Sequence, residues 1–191
     1  MEKIRAFIAI KLPQEIKAVL ANLQTALGAG KDNTVKWVNP DSIHLTLKFL
    51  GNIDAAAVPQ ITDAMTGSTQ NFGPLRLKVT ETGAFPGTGS PRVVWVGLTG
   101  DVTKLSMIHK SLEGTLAAIG FAPEKRSFSP HLTLGRVRDR AKKDERSALA
   151  RQLSTVKLKI RPEFFARSIN LMRSELTQKG AVYTELAAVM L

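Results

Sequence analysis

The tetrapeptide His-Leu-Thr-Leu occurs twice in this chain, at residues 44–47 and again, 87 residues later, at 131–134. Each copy lies in a run that alternates apolar and polar residues, and each follows a long amphipathic stretch. On a strand, residues two apart point to the same face. Each copy therefore presents an imidazole beside a hydroxyl on one face and anchors the opposite face with leucines. A motif that recurs together with its preceding helix predicts two related lobes facing each other across a pseudo-twofold axis.

The rest of the chain fits that frame. Ile4 to Ile10 reads as a first strand. Pro13 then opens a helix in which Ile16, Val19, Leu20, Leu23 and Leu27 recur at helical spacing, with Gly28 and Gly30 ending it. Ser42 to Leu50 alternates, with Ile43, Leu45, Leu47 and Phe49 assigned to the core face and His44, Thr46 and Lys48 to the other. Asp54 to Met65 reads as a helix, Leu75 to Val79 as a strand, Gly83 to Pro91 as a loop and Arg92 to Leu98 as a strand. Val102, Leu105, Ile108, Leu112, Leu116 and Ile119 mark a second long helix. Ser127 to Val137 carries the second motif on a strand. Arg140 to Leu153 reads as a charged helix, and Val156 to Ile160, Arg167 to Met172 and Ala181 to Leu186 as strands. No polar linker divides the halves. The expectation is an α+β fold: one bilobal domain over residues 1–191, its lobes interleaved, with largely antiparallel sheets and flanking helices around a central groove.

Composition narrows the chemistry. The chain has no cysteine, which excludes disulfides, thiolate nucleophiles and thiolate-bound zinc. Lysine and arginine number 27 against 16 acidic residues, a formal net charge of +11. Such an excess favours polyanionic partners, and its spread along the chain favours a folded basic surface over a basic tail. The apolar run from Ala6 to Ile10 is too short for a signal-peptide core or a membrane span, so a cytoplasmic protein with no membrane partner is expected.

Two of the chain's three histidines sit in the repeated motif. One such motif is weak evidence, because alternating strands often carry a stray histidine. Two copies meeting across an axis would place two imidazoles and two hydroxyls around one small volume. Imidazole titrates near neutrality, so one ring can deprotonate water while the other protonates a leaving alkoxide. The hydroxyls of Thr46 and Thr133 can donate to phosphate oxygens. No metal or cofactor is needed for this scheme, and no third ligand at metal-binding spacing accompanies either histidine.

His44-Leu-Thr-Leu-Lys-Phe-Leu-Gly51 and Ser129-Pro-His-Leu-Thr-Leu-Gly-Arg136 resemble the paired motifs of the two-histidine phosphoesterase superfamily. The nearer resemblance is to its RNA 2′,3′-cyclic phosphodiesterases, historically called 2′-5′ RNA ligases. Arg5 to Ile10 with Pro13, Pro91 to Gly97, and Leu171 to Leu176 with Gly180 and Tyr183 extend the likeness over nearly the whole chain. Met172 departs from it, standing where many relatives carry an aromatic residue. The resemblance implies hydrolysis of RNA 2′,3′-cyclic phosphate ends to 2′-phosphomonoesters, metal-independent by the scheme above; tRNA halves are one candidate substrate, and no obligate protein partner is expected. It implies His44 as proton donor and His131 as proton acceptor, an order the residues themselves leave open. It also implies phosphate contacts from Thr46 and Thr133, with Arg136 as a phosphate or ribose contact.

Lys48, on the predicted His44 face, and Arg126, just ahead of the second motif, are further candidate phosphate contacts. Phe7, Phe49, Phe128 and Trp95 are candidates for base stacking, although Phe49 falls on the predicted leucine face. His109, beside the stripe of the second long helix, reads as structural. Three other activities fit the same residues: a non-catalytic RNA-binding module, a phosphodiesterase for small cyclic nucleotides, and 2′-5′ ligation as the reverse of hydrolysis.

Overall fold

A computed structural model describes residues 2–31, 33–158, 160–178 and 180–191. Strand β1 (Lys3–Lys11) is buried on both faces at its centre, which explains its near-continuous apolar sequence. Helix α1 (Gln14–Ala26) follows Pro13, whose carbonyl accepts the first helical N–H bonds, and seats Ile16, Leu20 and Leu23 in the core. A short strand β2 (Val35–Trp37) and a 3₁₀ turn lead to β3 (His44–Asp54), the first motif strand. Helix α2 (Val58–Thr69), β4 (Leu75–Phe85) and β5 (Val93–Gly100) come next. Helix α3 (Val102–Ala118) buries Leu105, Ile108, Leu112 and Leu116 completely. The second motif strand is β6 (His131–Val137). The chain closes with α4 (Lys143–Thr155), β7 (Glu163–Ala166), β8 (Ser168–Thr177) and β9 (Gly180–Met190).

The strands join into one antiparallel sheet in the order β7-β4-β5-β6-β3-β1-β8-β9, with β2 paired to β6. The two motif strands are its centre. Outward from β6 run β5, β4 and β7; outward from β3 run β1, β8 and β9. The two expected lobes are thus the two halves of a continuous sheet, and each half draws strands from distant parts of the chain. The main core lies between the sheet and the four helices. On the other face, Phe7, Ala9 and Met172 form a small cluster against Tyr183. Met172 packs inside that cluster.

The simple alternation read along β3 breaks after Thr46. Ile8 pairs with Lys48 and Ala9 with Thr46, so β3 spends one extra residue, Leu47, against β1. This β-bulge turns Leu47 and Lys48 both toward the helices and throws Phe49 onto the opposite face. Lys48 is therefore 2% exposed and Phe49 is 59% exposed, the reverse of the alternation reading. Lys48 Nζ donates to Glu113 Oε1 at 2.7 Å and to the Ala122 carbonyl at 2.9 Å. Its assignment as a phosphate contact is corrected: the ammonium is committed on the far side of the sheet from the motif histidines.

Other boundaries shift as well. Residues 156–158 form no strand, and Lys159 lies outside the described residues; pairing resumes at β7. β4 runs on through Gly83 to Phe85, where a loop was expected. β2, only three residues long, carries no periodic signal. No described helix is long and apolar enough to cross a membrane.

Truncating Lys48 strands a carboxylate in the interior. Lys48→Ala is expected to lower the unfolding free energy by about 3 kcal/mol, whereas Lys48→Met with Glu113→Leu recovers most of it. Urea denaturation with matched m-values checks this; equal stability of Lys48→Ala and the parent would show that the pair contributes nothing.

Candidate active site

The two motifs are brought together by strand register. Leu45 pairs with Leu132 across the β3–β6 junction, and both are buried at 1% and 0% exposure. The residues on either side of these leucines face the opposite, groove side. Antiparallel register then sets His44 across from Thr133 and Thr46 across from His131. The two histidines become diagonal neighbours, with Cα atoms about 7–8 Å apart.

The surroundings of the two rings repeat each other. His44 Nδ1 lies 2.8 Å from the Ser42 carbonyl, and His131 Nδ1 lies 2.7 Å from the Ser129 carbonyl. A carbonyl oxygen can only accept, so Nδ1 carries the proton in both rings and Nε2 is left for chemistry. Phe7 and Tyr183 wall His44, at centroid distances of 4.7 and 5.2 Å. Phe85 and Trp95 wall His131, at 5.0 and 6.4 Å. Trp95 reaches that position by lying across Gly83, where a Cβ would come within 2.3 Å of the indole. Burial holds His44 below the ordinary histidine range, and the bond to Ser42 only partly offsets it.

A cavity of roughly 370 Å³ opens beside His44. Its wall includes His44, Thr46, Thr133 and Arg136, so four of the seven sequence-predicted site residues share one space. His131 is not among the residues of that wall; it lies opposite Thr46 on the neighbouring strand. Arg126 is exposed in the loop before β6 and is not in the cavity wall. The wall also contains Phe7 and Phe49, two of the stacking candidates, and residues that were not singled out for the site: Arg5 of β1, Ser174 of β8 and Tyr183 of β9. Burial raises the Tyr183 phenol above its usual value, while the nearby Arg5 and Arg136 charges pull it back. Alternation within β1 relates Arg5 to Phe7, but only the β1–β3 pairing shows which face that is. Among the described residues, no group of three or more His, Cys, Asp or Glu side chains is arranged to hold a metal ion.

A model of the LigT-like phosphoesterase family matches residues 10–95 and 96–183, one motif in each match. The chain belongs to this family. Among family members, the RNA 2′,3′-cyclic phosphodiesterase of Methanothermobacter thermautotrophicus is 32% identical over 184 residues, covering 96% of this chain and 97% of that one. The protein of the same name from Archaeoglobus fulgidus is 33% identical over 189 residues, covering 96% and 98%. A Thermus thermophilus crystal structure shares 27% identity with a TM-score of 0.75 over 98% of both chains. E. coli LigT complexed with 3′-AMP has the same fold, with a TM-score of 0.80 and 24% identity over 100% of this chain and 99% of that one.

Because burial depresses the His44 pKa, the unfolded chain takes up that proton first as pH falls. Stability is therefore full above the ordinary histidine value, about 6.5, and is lost as pH drops from there through the lower folded value. His109, also held down mainly by burial, adds a loss of the same sign. His44→Gln is expected to flatten the fall in urea midpoint between about pH 7 and 5. An unchanged slope in that variant would contradict the burial assigned to His44.

Proposed function

We propose that this protein hydrolyses 2′,3′-cyclic phosphodiester ends on RNA by acid–base catalysis between His44 and His131. The observation that carries the reading is the register of the central strands: two His-x-Thr pairs side by side on one face, each imidazole bonded through Nδ1 to a backbone carbonyl. The names of the relatives agree with this activity.

In the proposed reaction, His131 Nε2 takes a proton from a water molecule as its oxygen attacks phosphorus. The P–O3′ bond breaks, and His44 Nε2 gives its proton to the departing 3′ oxygen. The products are a 2′-phosphomonoester and a free 3′-hydroxyl. The assignment of donor and acceptor follows the family resemblance. Burial favours neutral His44, so the negative charge of the bound cyclic phosphate, a monoanion, is needed to hold its proton in place. Thr46 and Thr133 donate to the non-bridging oxygens, and Arg136 with Arg5 balances their charge. Phe49, exposed on the cavity wall, offers a flat face to a nucleobase. With a 5′-hydroxyl in place of water as the attacking oxygen, the same steps would join 2′-5′ ends, but water in excess favours hydrolysis.

His44→Ala and His131→Ala are each expected to lower turnover of an oligonucleotide 2′,3′-cyclic phosphate by at least about 10²-fold, and EDTA to leave the parent unaffected. Chromatography of the products is expected to show the 2′-monoester. Full activity in either alanine variant would reject the paired mechanism. Tight RNA retention by a parent protein without turnover would favour the binding-module alternative, and turnover of free cyclic nucleotides in preference to RNA ends would favour the small-molecule one.

A further inference from the structure

The β-bulge in the first motif strand has a twin in the second. Val94 pairs with Gly135 and Trp95 with Thr133, so β6 inserts one extra residue, Leu134, against β5. Leu134 and Gly135 are both buried, as Leu47 and Lys48 are, and the next residue returns to the groove face. That residue is Phe49 in the first strand and Arg136 in the second. The strands run antiparallel, so the two stand at opposite ends of the motif junction. An aromatic face lies beyond Thr46 and His131, and a cation lies beyond His44 and Thr133.

At the Arg136 end, β2 takes the place of β3 beside β6, and Lys36 pairs with Arg136. Val35 and Trp37 pack against the main core, so Lys36 shares the groove face with Arg136. Both residues are exposed. Like charges set directly across a strand pair repel each other. Other strand cations have carboxylates to offset them: Lys3, Lys11, Lys48, Arg76, Lys78 and Arg173 are all ion-paired. Among the described residues, the strand lysines and arginines outside any ion pair are Arg5, Arg136 and Lys36. Arg5 and Arg136 line the cavity, whereas Lys36 is not part of its wall and lies past Arg136.

The chemistry of an RNA end says what such a pair would meet. A terminal nucleoside 2′,3′-cyclic phosphate has one remaining chain connection, its 5′ oxygen. On the ribose ring, C1′ with the base and C4′ with the 5′ carbon flank the C2′–C3′ edge that carries the reacting phosphate. With that phosphate between the imidazoles and the base on Phe49, the 5′ oxygen points toward Arg136, and the next phosphodiester lies beyond it. We propose that Lys36, set against Arg136, forms a second phosphate subsite, which binds the phosphodiester one nucleotide upstream of the cyclic end. This subsite makes the groove favour RNA ends over free cyclic nucleotides. It rests on the hydrolysis and the Phe49 stacking proposed above.

Two dinucleotides ending in the same adenosine 2′,3′-cyclic phosphate test it, one with a phosphodiester linkage and one with an uncharged methylphosphonate. In the parent, KM is expected to be about 5-fold lower for the charged linkage. In Lys36→Gln that ratio is expected to fall to at most about 2-fold. The slope of log(1/KM) against log salt for the charged substrate is expected to flatten by about 0.7, the share of one single-strand phosphate. The same ratio in variant and parent, or a parent indifferent to the linkage charge, would overturn the subsite. Calorimetric binding of the two dinucleotides as their 2′-monophosphate products reads the same ratio without turnover. A parent that prefers the charged product but hydrolyses neither substrate would sink the activity and support the subsite. Intact turnover with an equal binding preference in parent and Lys36→Gln would sink the subsite alone.

Discussion

The pairing of Leu45 with Leu132 is the contact on which the site depends. Side-chain direction alternates strictly along a strand, so one fixed leucine pair determines where all four flanking motif residues point. A slip of one residue on either strand would turn its imidazole and hydroxyl into the apolar core and its leucines into the groove. The burial of both leucines thus protects the register that brings the two histidines together. Chemistry and stability are specified by opposite faces of the same eight residues.

Around that junction the structure repeats itself in function rather than in residue type. Each imidazole has a carbonyl at Nδ1, a phenylalanine wall and a second aromatic, yet the aromatics come from β1 and β9 on one side and from β4 and β5 on the other. The asymmetry is electrostatic. The cavity with Arg5, Arg136 and Tyr183 opens on the His44 side, where burial lowers the imidazole pKa. Two rings with equivalent backbone anchors but unequal charged surroundings are suited to unequal proton-transfer roles.

Much of this was readable in the chain. The motif echo located both central strands, and the apolar stripes of α1 and α3 were plain because a helix face needs several residues at regular spacing. The alternation failed at Lys48 and Phe49 because a bulge is set by the pairing partner, here β1, and leaves no local pattern. The same bulge hides Lys48 and exposes Phe49, so one missed irregularity displaced two assignments. Arg5 and Tyr183 were invisible as site residues because they reach the cavity only through the β1–β3 and β1–β8–β9 pairings, between segments far apart in the chain. β2 and β7, at three and four residues, are shorter than any window in which periodicity can be judged.

The central claim is that two imidazoles face a single phosphate. It is tested most directly by titrating the ¹⁵N-imidazole-labelled protein with adenosine 2′-monophosphate. If both rings meet the same phosphate, the Nε2 resonances of His44 and His131 move together along one saturation curve, while both Nδ1 resonances stay in their hydrogen-bonded form. Movement of only one of the two, or two different curves, would contradict it.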